Sequence, residues 1–147
     1  MALMAEVKRQ TARILIVDDN LFLRQQLRNL ICQHDGWEIC GEASDGFDAV
    51  HKAQELSPDV VVMDLSMPVM NGLRATREIR SKAPSTPIIM FSMYLSPHFS
   101  NAARDAGARG IVSKLHPQEI IRGIEELLRG NTFFGTDSSD ADASYQQ

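Results

Sequence analysis

Five short apolar runs divide this chain at intervals of about 20 to 30 residues, and that rhythm restricts the fold more than any other feature. The runs are Ile14-Leu15-Ile16-Val17, the region from Trp37 to Cys40, Val60-Val61-Val62-Met63, Ile88-Ile89-Met90-Phe91 and Ile111-Val112. Each interval has room for one helix and two short loops, which is what a parallel crossover requires. The runs are nearly continuous and rich in β-branched residues, as expected of strands covered on both faces. The intervals carry helical signals. Leu23, Leu27, Leu30 and Ile31 lie on one helical face, as do Ala49, Ala53 and Leu56 before the stop at Ser57-Pro58. Leu73, Thr76 and Ile79 form a weaker face before Pro84. Ser96 is placed to cap a fourth helix with Pro97 in its first turn, and a fifth opens at Pro117 with Ile120, Ile124, Leu127 and Leu128. The pattern predicts an α/β fold: a doubly wound, five-stranded parallel sheet of order 2-1-3-4-5 with five helices. Residues 13–130 are expected to form this domain, residues 1–12 an N-terminal extension, and the Ser/Asp/Ala-rich residues 131–147 a disordered tail.

Composition narrows the function classes. The chain has 147 residues, 44% hydrophobic and 23% charged, an ordinary mixture for one globular domain. Its net charge of −4 argues against a nucleic-acid surface or an anionic-membrane surface. Cys32 and Cys40 have no clustered partners for zinc and read as reduced thiols in or near the core. The N-terminus lacks an apolar run of signal-peptide length. Ala83 to Ala103 carries no Asp, Glu, Lys or Arg, but Pro84, Pro87 and Pro97 exclude a membrane helix. The expectation is a soluble, cytoplasmic protein.

In open α/β sheets, ligands bind beyond the carboxyl ends of the strands. Asp18-Asp19 follow strand one, Asp64 follows strand three, Ser92 follows strand four, and Ser113-Lys114 follow strand five. Strand two is followed by Gly41-Glu42-Ala43, which look unconnected to the others, so Glu42 is expected to take no part in the site. In the predicted order, Asp18, Asp19 and Asp64 meet where the winding reverses. Three carboxylates in one pocket repel one another, and a divalent cation relieves the repulsion. Oxygen-only ligands at a small open site favour Mg²⁺ or Mn²⁺. Lys114 and Ser92 then complete a clamp for a tetrahedral phosphoryl group, leaving Asp64 as the nucleophile. Taken singly, each residue has an ordinary explanation: the acidic pair as a helix cap, Asp64 as a loop acid, Ser92 as a strand end, Lys114 as a solvated lysine. Placement of all of them at strand ends is what carries the inference.

These residues resemble a response-regulator receiver domain of the CheY-like superfamily. The matching text is Ile14 to Asn20, Val60 to Gly72 with its D-x-x-M-P-x-x-x-G segment, Pro87 to Ser92, and Ala106 to Lys114. The resemblance covers roughly residues 13 to 130. It implies that Asp64 is the phosphoacceptor, that Asp18 and Asp19 hold Mg²⁺ together with Asp64 and the backbone carbonyl of Ser66, that Ser92 is the switch hydroxyl, and that Lys114 pairs with the phosphoryl group. The implied donor is a phosphohistidine on a sensor histidine kinase or a histidine phosphotransfer protein, and Gly72 is expected to allow a sharp entry into helix three. Two positions depart from the family's habit. Ile111 stands where an aromatic switch residue is frequent, and Leu115 stands where proline often follows the lysine. Tyr94 then has two readings: it takes over the coupling between the phosphoryl site and the surface, or it is an exposed loop tyrosine with no role.

The segments around Gly41-Glu42-Ala43 and Gly130 to Phe134 look like receivers joined to LuxR-type DNA-binding domains. Too few residues follow Phe134 for a helix-turn-helix, so the reading is a stand-alone receiver or a fragment. It would act through an unknown protein target, with a phosphorylation-dependent homodimer as one form of output and no direct contact to nucleic acid or membrane. Such a protein catalyses only its own phosphorylation and dephosphorylation. One rival is an aspartyl-nucleophile phosphatase-like hydrolase, which usually has a second Asp where this chain has Ser66. A dinucleotide-binding oxidoreductase needs a Gly-rich turn where Asn20-Leu21-Phe22 stand. A phosphate-independent receiver-like interaction module would not need the full set of Asp18, Asp19, Asp64, Ser92 and Lys114.

Overall fold

The computed structural model describes residues 11–93 and 96–134. Strands β1 (Ala12–Val17), β2 (Trp37–Ala43), β3 (Val60–Met63), β4 (Ile88–Ser92) and β5 (Gly110–Ser113) form one parallel sheet of order β2-β1-β3-β4-β5. They alternate with α1 (Leu21–Cys32), α2 (Gly46–Leu56), α3 (Gly72–Lys82), α4 (Pro97–Ala106) and α5 (Glu119–Leu128). The expected fold and strand order are therefore both present.

Strand alternation divides the core into two layers. Leu15, Val17, Val61, Met63, Ile88, Met90 and Ile111 face α2, α3 and α4, which contribute Ala49, Ala53, Ala75, Ile79 and Phe99. Ile14, Ile16, Val60, Val62, Ile89, Phe91 and Val112 face α1 and α5, which contribute Leu27, Ile31, Ile120, Ile124 and Leu127. Each large apolar side chain buried this way stabilises the fold by about 1.5–3 kcal/mol relative to exposure. Leu128 turns away from this layer and is partly exposed, Cys40 is half-buried, and Cys32 is exposed at the end of α1.

Local chemistry sets the helix ends. The side chains of Asn20, Asp45, Asn71 and Ser96 each accept a hydrogen bond from the backbone N–H three residues on, which caps α1 to α4. Pro97 occupies the first turn of α4, and Ser57 ends α2 in a left-handed conformation directly before Pro58. The fifth helix starts at Glu119, not at Pro117. The backbone bonds Glu119 to His116, Ile120 to Pro117 and Ile121 to Gln118 span three residues, so one tighter turn precedes the α-helix. Strand β2 runs past Cys40 to Ala43. The pairing steps from Ile14–Ile39 to Leu15–Gly41, so Cys40 is a bulge residue.

The chain beyond Gly130 also differs from expectation. Phe133 pairs in parallel with Gly110: its N–H donates to Arg109 O at 2.9 Å, and its carbonyl accepts from Ile111 N at 2.8 Å. Phe133 packs against the α1–α5 layer, and the Phe134 ring lies 3.8 Å from the Arg104 guanidinium. Residues 131–134 thus cover the edge of β5 and belong with the domain, because a bare edge strand leaves backbone donors and acceptors unpaired. The remainder of the expected tail, and the N-terminal extension up to residue 10, lie outside the described residues.

Candidate functional site

The parallel register brings the strand ends level. Val17 pairs with Met63, and Ser92 pairs with Ser113, so the residues after them emerge on one side of the sheet. The ladder continues into the loops: Asp18 N–H donates to Ala43 O at 3.0 Å, Asp64 N–H to Val17 O at 2.9 Å, and Lys114 N–H to Ser92 O at 2.8 Å. The backbone is thereby held at each site residue.

Ligand oxygens of Asp18, Asp19 and Asp64 all lie within 4.8 Å of one another. Asp18 and Asp64 are buried, and Asp19 is exposed at the rim. Lys114 Nζ donates to Asp18 Oδ2 and to Asp64 Oδ1, each at 2.8 Å. The second oxygen of Asp18, Oδ1, accepts from Asn20 N–H at 2.9 Å. Ser66, Ser92 and Met93 share with these residues the walls of an open cavity of about 300 Å³. Ser92 is buried at the end of β4, whereas Ser66 is exposed in the loop after β3. The expected set Asp18, Asp19, Asp64, Ser66, Ser92 and Lys114 is therefore gathered in one place.

Position 111 is not part of that cavity. Ile111 is buried on β5 opposite Met90, in the layer that holds Phe99 and Ala103. Tyr94 lies outside the described residues.

Charge defines the cavity. Burial raises the pKa of Asp64, the negative charge of Asp18 adds to the effect, and Lys114 opposes it. Burial alone would lower the Lys114 pKa, but its bonds to the two carboxylates prevail and raise it. Lysine is thus held protonated between two acids. The donor set is all oxygen, closely spaced and open on one side, which fits a hard divalent cation such as Mg²⁺ that keeps part of its water shell. Asp18, Asp19 and Asp64 are the side chains that would hold it.

Two features were not visible from spacing. Gly72 matters through close approach, not through an unusual φ. A Cβ there would lie 2.0 Å from the carbonyl oxygen of Asp64, and Gly72 N–H donates to Leu65 O at 2.8 Å. The start of α3 therefore rests directly on the backbone of Asp64. The second is Arg24 in α1, whose Nη1 donates to the Asp18 carbonyl at 2.7 Å and whose Nε donates to Glu42 Oε1 at 2.9 Å. A usable signal was present in the sequence: Arg24 and Arg28 sit four residues apart on one helix face, with a lone acid at the end of the neighbouring strand.

Comparison with known proteins gives a consistent picture. The family described as the response regulator receiver domain matches residues 14–125. The chemotaxis protein CheY of Thermotoga maritima is 39% identical over 118 residues, covering 80% of this chain and 98% of that protein. A protein-glutamate methylesterase/protein-glutamine glutaminase of Alkalilimnicola ehrlichii is 43% identical over 119 residues, which is 80% of this chain but 30% of that protein. The solved structure of a LuxR-family two-component response regulator from Aurantimonas sp. SI85-9A1 has a TM-score of 0.88 at 36% identity, covering 92% of this chain and 98% of that chain.

Proposed function

We propose that this chain, which belongs to the response regulator receiver domain family, performs that family's phosphoryl acceptance on Asp64. The observation that carries the assignment is the placement of Lys114 Nζ at 2.8 Å from both Asp18 and Asp64, with Asp19 completing the acidic group. Asp64 is the nucleophile: a carboxylate oxygen forms the new bond to phosphorus as the bond from phosphorus to the donor histidine nitrogen breaks, and that nitrogen leaves with the electron pair. Lys114 holds one oxygen of Asp64 and supplies positive charge for the incoming anionic group. Ser92 offers a hydroxyl from the neighbouring strand end. Bound Mg²⁺, held by Asp18, Asp19, Asp64 and the Ser66 carbonyl, would neutralise charge between the carboxylates and the phosphoryl oxygens. Water attack on phosphorus later releases inorganic phosphate and restores the Asp64 carboxylate.

In this reading the donor is a phosphohistidine on a sensor histidine kinase or a histidine phosphotransfer protein, and the chain acts through a protein partner in the cytoplasm. Among the described residues no helix is long and apolar enough to cross a membrane. The protein catalyses only its own phosphorylation and dephosphorylation.

The test is intact mass after incubation with acetyl phosphate and Mg²⁺. One phosphoryl adduct should form, be labile to hydroxylamine, and vanish in Asp64→Asn or on chelation. Equal labelling of the Asn variant would overturn the assignment.

A further inference from the structure

Asp18 is fixed at four points. Its N–H is bound by Ala43 O, its two carboxylate oxygens accept from Asn20 N–H and Lys114 Nζ, and its carbonyl accepts from Arg24 Nη1. The first three belong to the sheet ladder or to the cavity itself. The fourth comes from a side chain outside the cavity, and its target has a specific consequence. The Asp18 carbonyl lies in the rigid peptide plane that joins Asp18 to Asp19. Anchoring that oxygen therefore sets the direction in which Asp19 leaves the backbone. Asp19 is exposed, so packing does not orient it, and the backbone must.

Arg24 is itself held. Its Nε donates to Glu42 Oε1 at 2.9 Å, and Arg28 Nε donates to Glu42 Oε2 at 2.8 Å. The side chains of Arg24 and Glu42 are 15% and 25% exposed, so the pair is well shielded. The bonds from Arg28 and Arg24 outweigh the effect of burial and lower the pKa of Glu42, keeping it charged. Glu42 serves Arg24 and Arg28 together, so it offsets part of the Arg24 charge. A lone arginine beside a cation site would repel the cation; one whose charge is partly offset can orient the backbone with less repulsion.

We propose that Arg24, braced by Glu42, is a positioning residue that fixes the Asp18–Asp19 peptide so that the Asp19 carboxylate faces Asp64. The proposal rests on the reading of Asp18, Asp19 and Asp64 as a divalent-cation site. Supporting residues of this kind typically change metal affinity about 10- to 100-fold.

The experiment is a Mn²⁺ titration followed by electron paramagnetic resonance, on the full chain without phosphodonor. Arg24→Gln and Glu42→Ala should each weaken Mn²⁺ binding about tenfold, and the double variant should be no worse than the weaker single one. Arg28→Gln, which removes a partner of Glu42 only, should stay within about twofold. The sign is diagnostic. If Arg24 acted by charge alone, its removal would tighten binding of a cation, whereas loss of positioning weakens it. Arg24→Lys supplies a second measurement should Arg24→Gln fail to fold. It keeps the charge but lacks the planar fork that reaches two acceptors, so it too should lose affinity. Wild-type affinity in Arg24→Lys, or equal or tighter binding in Arg24→Gln, would overturn the proposal. Failure of wild type to bind Mn²⁺, or wild-type binding by Asp19→Ala, would instead overturn the reading of the site.

Discussion

Gly72→Ala is the sharpest probe of how the fold holds Asp64. The new methyl carbon would sit 2.0 Å from the Asp64 carbonyl oxygen, 2.9 Å from its carbonyl carbon and 3.0 Å from Leu65 Cα. An ordinary carbon–oxygen approach is about 3.3–3.6 Å, so the two segments must part by more than about 1 Å. All three obstructing atoms are backbone, and none can rotate aside. Overpacking of this kind costs about 1–3 kcal/mol, and the upper end applies here because no side chain can yield. Alanine's better helix propensity returns at most about 1 kcal/mol at the first residue of α3. The expected net loss is about 2 kcal/mol, roughly 8 °C in Tm for a domain of this size. The displacement should also slow phosphoryl labelling about 100-fold, since the strain falls on the residue that must attack. Urea denaturation and time-resolved intact mass measure the two effects. Gly130→Ala is the control: φ is +88° and nothing lies within 4 Å of the added carbon, so it should lose about 1 kcal/mol from backbone strain and label normally. A Gly72→Ala variant within about 0.5 kcal/mol of wild type and labelling at the wild-type rate would refute the reasoning.

Two further outcomes follow from contacts described above. Burial, with the charge of Asp18, raises the folded-state pKa of Asp64, so the native state holds that proton more tightly than the unfolded chain does and stability falls as pH rises through the raised value. Without divalent cation, Asp64→Asn should therefore be more stable than wild type at neutral pH, with the advantage shrinking as pH drops toward about 4; urea midpoints that coincide across this range would contradict it. Phe133→Ala should cost about 1–2 kcal/mol by urea denaturation, because the half-buried ring packs against the layer beneath Gly123 and Ile89, whereas a residue in a disordered tail would cost nothing measurable.

What the sequence revealed depended on how local each signal was. Strands β1, β3 and β4 were legible because both faces are buried and their text is almost wholly apolar. Strand β2 was cut short at Cys40 because it is an edge strand with a bulge, so neither continuous apolarity nor strict alternation survives through Gly41 and Glu42. The Ser96-Pro97 helix start was legible because a cap acts over three residues. The end of the domain was not, since the value of Asn131 to Phe134 lies in pairing with an edge more than twenty residues earlier in the chain. The cavity residues were found because one rule, that ligands gather at carboxyl strand ends, converts sequence position into spatial position. Arg24 escaped that rule: it sits inside a helix and reaches the site by side-chain length.

Charge balance connects the missed residues to the recognised ones. The cavity holds the carboxylates of Asp18, Asp19 and Asp64 against one ammonium, that of Lys114. Two negative charges are left uncompensated, an unfavourable setting for an anionic phosphoryl group. A divalent cation would cancel that excess, so metal loading would set the electrostatic cost of phosphoryl transfer before any contact with the donor. The balance is disturbed if a further unpaired charge stands beside the acidic pair. An unpaired positive charge would weaken the metal site, and an unpaired negative charge would deepen the repulsion of phosphate. Arg24 approaches Asp18 as closely as Lys114 does, yet has a counter-ion in Glu42, which it shares with Arg28. Orientation from an arginine with a counter-ion and charge from Lys114 are then separable contributions. Exchanging one for the other, by removing Glu42 so that Arg24 stands unpaired, should weaken the cation and leave Lys114 bound to the same two carboxylates.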